Sequence, residues 1–195
     1  LLLDPAGAFG TFDDVLRVWR ACDEARYMWY EDAFRGGGFS QYAHVQLRNY
    51  IKTPMLMGEH VRGLEAKADT IVSRASDYVR GNANADGGIT GLMKIATLAE
   101  ANYVLMAPHI WGGPIITAAA LQIDANIHNF LIQESIGKTR GFFDEVVVEP
   151  FEWNNGDLLP PDRPGIGIEL DEDKLEAHRG SLAELRRQRQ AERQR

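Results

Sequence analysis

The sequence predicts an α/β protein built as a (β/α)₈ barrel of the TIM type, and three observations carry that prediction. Six short, near-continuously apolar runs recur along the chain, and amphipathic stretches separate them. Each run ends in a polar residue, and these ends (Asp4, Glu31, Glu59, Asn82, His109 and Glu134) come one after another at intervals of 23 to 28 residues. A strand, a helix and two short loops take roughly 25 to 35 residues, so each interval fits one β/α unit. An open doubly wound sheet gives no reason for a polar group at every strand end, and no Gly-rich phosphate loop comes after the first run. Six units match the last six of eight, which places the first two strands before residue 1.

The strand candidates are Leu1–Leu3, Tyr27–Tyr30, Met55–Met57, Tyr78–Arg80, Tyr103–Ala107 and Phe130–Ile132. Continuous apolar character over so few residues is the mark of parallel strands covered on both faces. Phe12, Val15, Leu16, Trp19 and Cys22 form one helical stripe, opened by the Thr11-x-x-Asp14 capping box. Leu64, Ala68, Ile71, Val72 and Ala75 form a second. Leu92, Ile95, Ala96 and Ala99 form a third, after the Gly87-Gly88 turn. Beyond Glu134 the chain turns Gly/Pro-rich, and Asp171–Arg195 reads as a charged helix. The expected division is a partial barrel over residues 1–139 and a C-terminal extension over 140–195.

Composition narrows the partners. With 21 basic and 28 acidic side chains the net charge is −7, which argues against nucleic acid and against an anionic membrane surface. The five arginines among the last ten residues have no interleaved aromatics for base stacking and read as a solvated helix end. The longest apolar runs, such as Ile115–Leu121, are far too short to span a bilayer. Cys22 is the sole cysteine, and with no secretory pattern at the start the expected location is the cytoplasm.

Asp4, Glu31 and Glu59 end three successive strands. Neighbouring strands lie about 4.8 Å apart, so the three carboxylates should converge. Unpaired, they would repel one another, and a divalent cation relieves that cost. Few protein oxygens with room for water and substrate favour Mg²⁺ over Zn²⁺. Separate ion pairs to Arg26, Arg35 or Arg62 are the simpler alternative.

Taken together, Tyr30-Glu31-Asp32, Gly58-Glu59-His60, Gly87-Gly88-Ile89-Thr90, Ala107-Pro108-His109, Ile132-Gln133-Glu134 and Asp162-Arg163-Pro164-Gly165-Ile166-Gly167 resemble the mandelate racemase branch of the enolase superfamily. The likeness is greatest to its acid-sugar dehydratases of the galactonate and rhamnonate type, and it runs over nearly the whole chain. It implies a Mg²⁺ site formed by Asp4, Glu31 and Glu59, and a lyase that dehydrates a sugar acid to a 2-keto-3-deoxy acid through a metal-stabilised enediolate. It makes His109 the catalytic histidine and Glu134 the last-strand acid that bonds the enediolate. A racemase or epimerase of a 2-hydroxy acid is the alternative within the enzymes, and a non-catalytic sugar-acid-binding member the alternative outside them. Homo-oligomers are expected by the same analogy.

His60, Trp111 and Gly112 are candidates for substrate contact, with loop packing or a tight turn as their ordinary roles. Strand alternation turns His60 away from the side of Glu59. Phe34 and Gly36-Gly37-Gly38 are expected at the mouth, while His44 and His128 carry no role. Two departures from the family pattern stand out. Where the family has an acid on the sixth strand, this chain has Asn82, whose amide oxygen is expected to orient His109 by accepting its ring N–H. The family's lysine-containing motif and its N-terminal capping domain fall before residue 1, and none of Lys52, Lys67, Lys94, Lys138 and Lys174 replaces that lysine.

Overall fold

A computed structural model describes residues 1–34, 41–136 and 142–192. The chain order begins β1 (Leu2–Leu3), α1 (Phe12–Glu24), β2 (Trp29–Glu31), α2 (Gln41–Leu47), β3 (Met55–Met57), α3 (Leu64–Val72), β4 (Tyr78–Val79), α4 (Gly88–Ala101), β5 (Leu105–Met106) and α5 (Pro114–Asp124). The five strands form one parallel sheet in the order β1-β2-β3-β4-β5. Every strand therefore adds beside its predecessor and the winding never reverses. A doubly wound sheet reverses once; a barrel does not.

The sixth strand candidate is reduced to a single parallel bridge, Met106 with Phe130. Met106 N–H donates to Asn129 O at 2.8 Å and Leu131 N–H to Met106 O at 2.8 Å, so the chain lies in strand register for one step only. Phe130 and Ile132 are left 39% and 44% exposed, too little burial to extend the pairing.

Local chemistry explains the elements. Thr11 caps α1, its hydroxyl oxygen accepting from the Asp14 N–H at 3.2 Å, and Val15, Trp19 and Cys22 are buried on one stripe. Trp19 stacks on Tyr30 with centroids 4.4 Å apart and donates from Nε1 to Thr53 O. Asp23 accepts from Lys52 N–H, Thr53 N–H and the Thr53 hydroxyl, tying the end of α1 to the approach to β3. α4 buries Leu92, Ile95, Ala96 and Ala99, as its spacing predicts. α3 departs from expectation. Its predicted stripe is turned partly outward, with Leu64 36% and Val72 64% exposed, and the buried residues are Lys67, Thr70 and Ile71.

The chain divides into two compact units, Leu1–Trp111 with Ala119–Ser135, and Gly112–Ala118 with Ile136–Arg195. The second contains α6 (Phe142–Glu145), the hairpin of β6 (Trp153–Asn154) and β7 (Asp157–Leu158), and α7 (Glu172–Glu192). Arg163 donates from Nε to Gly167 O at 2.9 Å and pairs with Glu149 in that unit. Among the described residues no helix is long and apolar enough to cross a membrane.

Candidate active site

Because the strands are parallel, the segments leaving their C-terminal ends all emerge at the same edge of the sheet. Asp4 comes directly after β1, Glu31 closes β2, Gly58-Glu59-His60 lead out of β3, Arg80-Gly81-Asn82 lead out of β4, and His109 lies three residues after β5. Glu134 lies four residues beyond the Phe130 bridge.

The centre of the site is Arg80, to which the sequence assigned no part. Its side chain is only 6% exposed. Nη2 donates to Glu31 Oε2 at 2.7 Å, Nε pairs with Glu31 Oε1, and Nη1 donates to Glu134 Oε2 at 3.2 Å. The guanidinium thus bridges the second strand end to the last one, giving one N–H bond to each of two carboxylates. Trp29 Nε1–H adds a bond to Glu31 Oε2 at 3.3 Å, and Ile110 N–H one to Glu134 Oε2 at 2.9 Å. Burial disfavours the charge on Arg80, but the bond and attraction to Glu31 outweigh it and raise its pKa. One signal was available: an arginine at the end of an otherwise apolar buried strand needs an anion nearby.

Asn82 and His109 do meet, with the polarity opposite to the one expected. Asn82 Oδ1 accepts the Asn84 N–H at 2.8 Å, which leaves the amide nitrogen facing His109 Nδ1 at 2.7 Å. An amide NH₂ only donates, so Nδ1 is the acceptor and the neutral ring carries its proton on Nε2. Nε2 stands 3.3 Å from Glu59 Oε2 and 3.7 Å from Glu134 Oε2. Burial lowers the His109 pKa; Glu134 opposes this and Arg80 reinforces it.

The carboxylates crowd together. Asp4, Glu31, Arg80 and Glu134 line one cavity of about 320 Å³, walled partly by Trp29 and Gln133. Asp4 keeps one oxygen on the Ala6 N–H at 2.7 Å. Burial raises the pKa of Glu31, with Arg80 pulling it back, and burial with the charge of Glu31 raises Glu59. Asp32 is pushed up to about 8, by burial first and then by Glu59, Glu31 and Asp4. Both of its carboxylate oxygens are buried without a hydrogen-bond partner.

Among the described residues, the group whose ligand atoms all lie within 4.8 Å of one another is Asp32, Glu59 and His60, not Asp4, Glu31 and Glu59. Glu31 is drawn to Arg80 instead. His60 does not turn away from Glu59: its Nε2 lies 3.0 Å from Glu59 Oε1 and 3.6 Å from Asp32 Oδ2, because the chain leaves strand geometry after Met57. The donors fit a hard divalent cation all the same. They are chiefly carboxylate oxygens, and even with Arg80 among them they remain short of positive charge.

The remaining candidates contribute less. Trp111 is 77% exposed and does not line the cavity. Gly112 belongs to the second compact unit. Phe34 packs on Phe12 and against the edge of His44. His44 is buried and His128 exposed. Gly36-Gly37-Gly38 and Lys138 lie outside the described residues.

A parallel sheet that winds one way belongs to a barrel, and the comparisons with known proteins show which family of barrels. The model for the enolase C-terminal domain-like family matches residues 1–174, and the chain belongs to that family. It is 31% identical over 169 residues to a D-mannonate dehydratase of Caulobacter vibrioides, covering 85% of this chain and 41% of that protein. It is 30% identical over 176 residues to a D-gluconate/D-galactonate dehydratase of Picrophilus torridus, covering 90% of this chain and 44% of the relative. Among solved structures, the 3,6-anhydro-D-galactonate cycloisomerase of Zobellia galactanivorans superposes with a TM-score of 0.82 at 27% identity, over 91% of this chain and 49% of that one. The chain spans about two fifths of the length of the curated relatives it matches.

Proposed function

We propose that the protein is a sugar-acid dehydratase whose carboxylates hold one Mg²⁺ ion. The observation that carries the reading is the convergence of Glu31, Glu59, Arg80, His109 and Glu134 at one edge of a parallel sheet, in a chain whose relatives include named dehydratases. Asp4, Glu31 and Glu59 would hold the ion, with Asp32 and His60 placed to share Glu59. When bound, the ion supplies fixed positive charge for the substrate carboxylate and for the charge that builds up beside it.

The chain's own residues divide the rest of the work. Arg80 presents a second, permanent cation to the carboxylate end of the substrate, held in place by Glu31 and Glu134. His109, with its proton on Nε2, is set to donate a hydrogen bond to a departing hydroxyl and cannot remove a proton from carbon there; transferring a proton outright requires the ring to be protonated on Nδ1 as well. Asn82 enforces this by leaving Nδ1 only a donor to face. Racemisation needs His109 as a base, which a protonated Nε2 cannot be, so its tautomer favours the dehydratase over the epimerase. No lysine lines the cavity among the described residues. The substrate is a small sugar acid. Action in the cytoplasm and assembly into homo-oligomers belong to the same proposal, the first supported by the free, buried Cys22.

The test is a screen of hexonic and pentonic acids against the full-length protein with Mg²⁺, reading 2-keto-acid formation. A keto acid from one or a few of them is the expected result. Exchange of the proton beside the carboxylate without keto acid would replace the proposal with epimerisation, and neither would replace it with binding alone.

A further inference from the structure

A lysine with no water around it is rare, and α3 carries one. Lys67 is 0% exposed, on the helix face that the apolar spacing would have turned outward. Burying an ammonium costs several kcal/mol unless its donors are all used. Its partners are specific: Nζ donates to the carbonyl of Gly58 and to the carbonyl of Arg80, the latter at 2.5 Å. The Asp86 carboxylate stands 3.8 Å away.

Those two carbonyls belong to the residues that aim the site. Gly58 precedes Glu59, and Arg80 is the bridge between Glu31 and Glu134. Asp86 accepts the Asn82 N–H at 2.8 Å and the Gly63 N–H at 2.9 Å, so the same knot reaches the residue that holds His109. Gly58 shows how tight the knot is. With φ at +134°, a Cβ there would lie 2.7 Å from Arg80 O and 2.8 Å from Lys67 Nζ, so no other residue fits. Burial pushes Lys67 down to about 8, with Asp86, Asp32 and Glu59 acting against that shift.

We infer that Lys67 is a positioning residue: its buried ammonium clamps the carbonyls of Gly58 and Arg80 and thereby fixes the aim of Glu59 and Arg80 into the site. A lysine serving stability alone could sit anywhere along α3; this one joins the two loops whose side chains form the site. The inference rests on the proposed dehydratase function only for its consequence in catalysis. The clamp itself is a matter of geometry.

The test uses the full-length protein and two readouts. The first needs no metal: the NMR signal of the Arg80 Nε proton, shielded from solvent exchange by the burial of its side chain. The second is calorimetric titration with Mn²⁺. In Lys67→Met the Nε proton is expected to exchange at least tenfold faster and Mn²⁺ affinity to fall at least tenfold. Lys67→Gln, which keeps an N–H donor, should recover part of both. Ile71→Ala opens a hole in the same helix and should lower Tm while leaving both readouts within twofold. A folded Lys67→Met with unchanged Arg80 exchange overturns the inference, as does an equal loss in Ile71→Ala. Failure of both Lys67 variants to fold assigns Lys67 to stability alone and overturns it too. If the wild-type protein binds no Mn²⁺, the metal reading fails, and the Arg80 signal still decides the role of Lys67.

Discussion

The side-chain amide of Asn82 donates to Nδ1 of His109 across 2.7 Å, so the ring is held neutral with its proton on Nε2. Asn82→Asp replaces that donor with an acceptor and a charge. The proton should move to Nδ1, and the imidazolium should be favoured, because a charged acceptor replaces a donor that opposes protonation of Nδ1. Nitrogen-15 chemical shifts of the ring report both changes. An unchanged tautomer in the variant would show that Asn82 does not set it.

Arg80 is the buried cation on which Glu31 and Glu134 both depend. Removing one partner of such a group leaves uncompensated charge, which typically costs about 3–5 kcal/mol. Arg80→Met should lower the urea midpoint accordingly. Arg80→Lys should recover little, since a single ammonium nitrogen cannot take the places of two separate guanidinium donors. A midpoint close to that of the wild type in Arg80→Met would mean that the bridge contributes little.

Cation binding should be visible as stability. A ligand at about 100 times its Kd adds about 2.7 kcal/mol to a protein that binds it only when folded. Saturating Mg²⁺ is expected to raise the Tm of the full-length protein, and Glu59→Gln to remove most of that rise, since Glu59 is common to both carboxylate groupings of the site. A full Mg²⁺-dependent rise in Glu59→Gln would place the ion elsewhere.

Asp124 offers a pH test away from the site. Its two oxygens are buried without hydrogen-bond partners, and burial pushes its pKa up to about 8 from 3.8. The fold therefore prefers the protonated acid. Its contribution is fully present below about pH 4 and is lost as the pH rises through about 8. Asp124→Asn, which has no proton to lose, should be more stable than the wild type near pH 8, with the difference shrinking toward pH 4. Parallel Tm curves across that range would refute the burial argument.

Much of this protein was legible in the linear chain. The interval between polar strand ends named the barrel, because one β/α unit has a nearly constant length. The apolar spacing of α1 and α4 named their buried faces. The motifs around Glu31, Glu59, His109 and Glu134 pointed to the family before any contact was known. Local rules reach that far because they act over a few residues.

Partner choice was decided only in three dimensions. Arg80 meets Glu31 across 49 residues and Glu134 across 54, and Lys67 meets Arg80 across 13. No period in the sequence encodes such pairs. The outward turn of the α3 stripe, the return of His60 toward Glu59 and the direction of the Asn82–His109 bond have the same origin. Sequence spacing sets which strand end a side chain occupies. A buried charge then takes whichever opposite charge or lone pair the packed strands bring within about 3 Å, since leaving it unpaired costs more than any local preference.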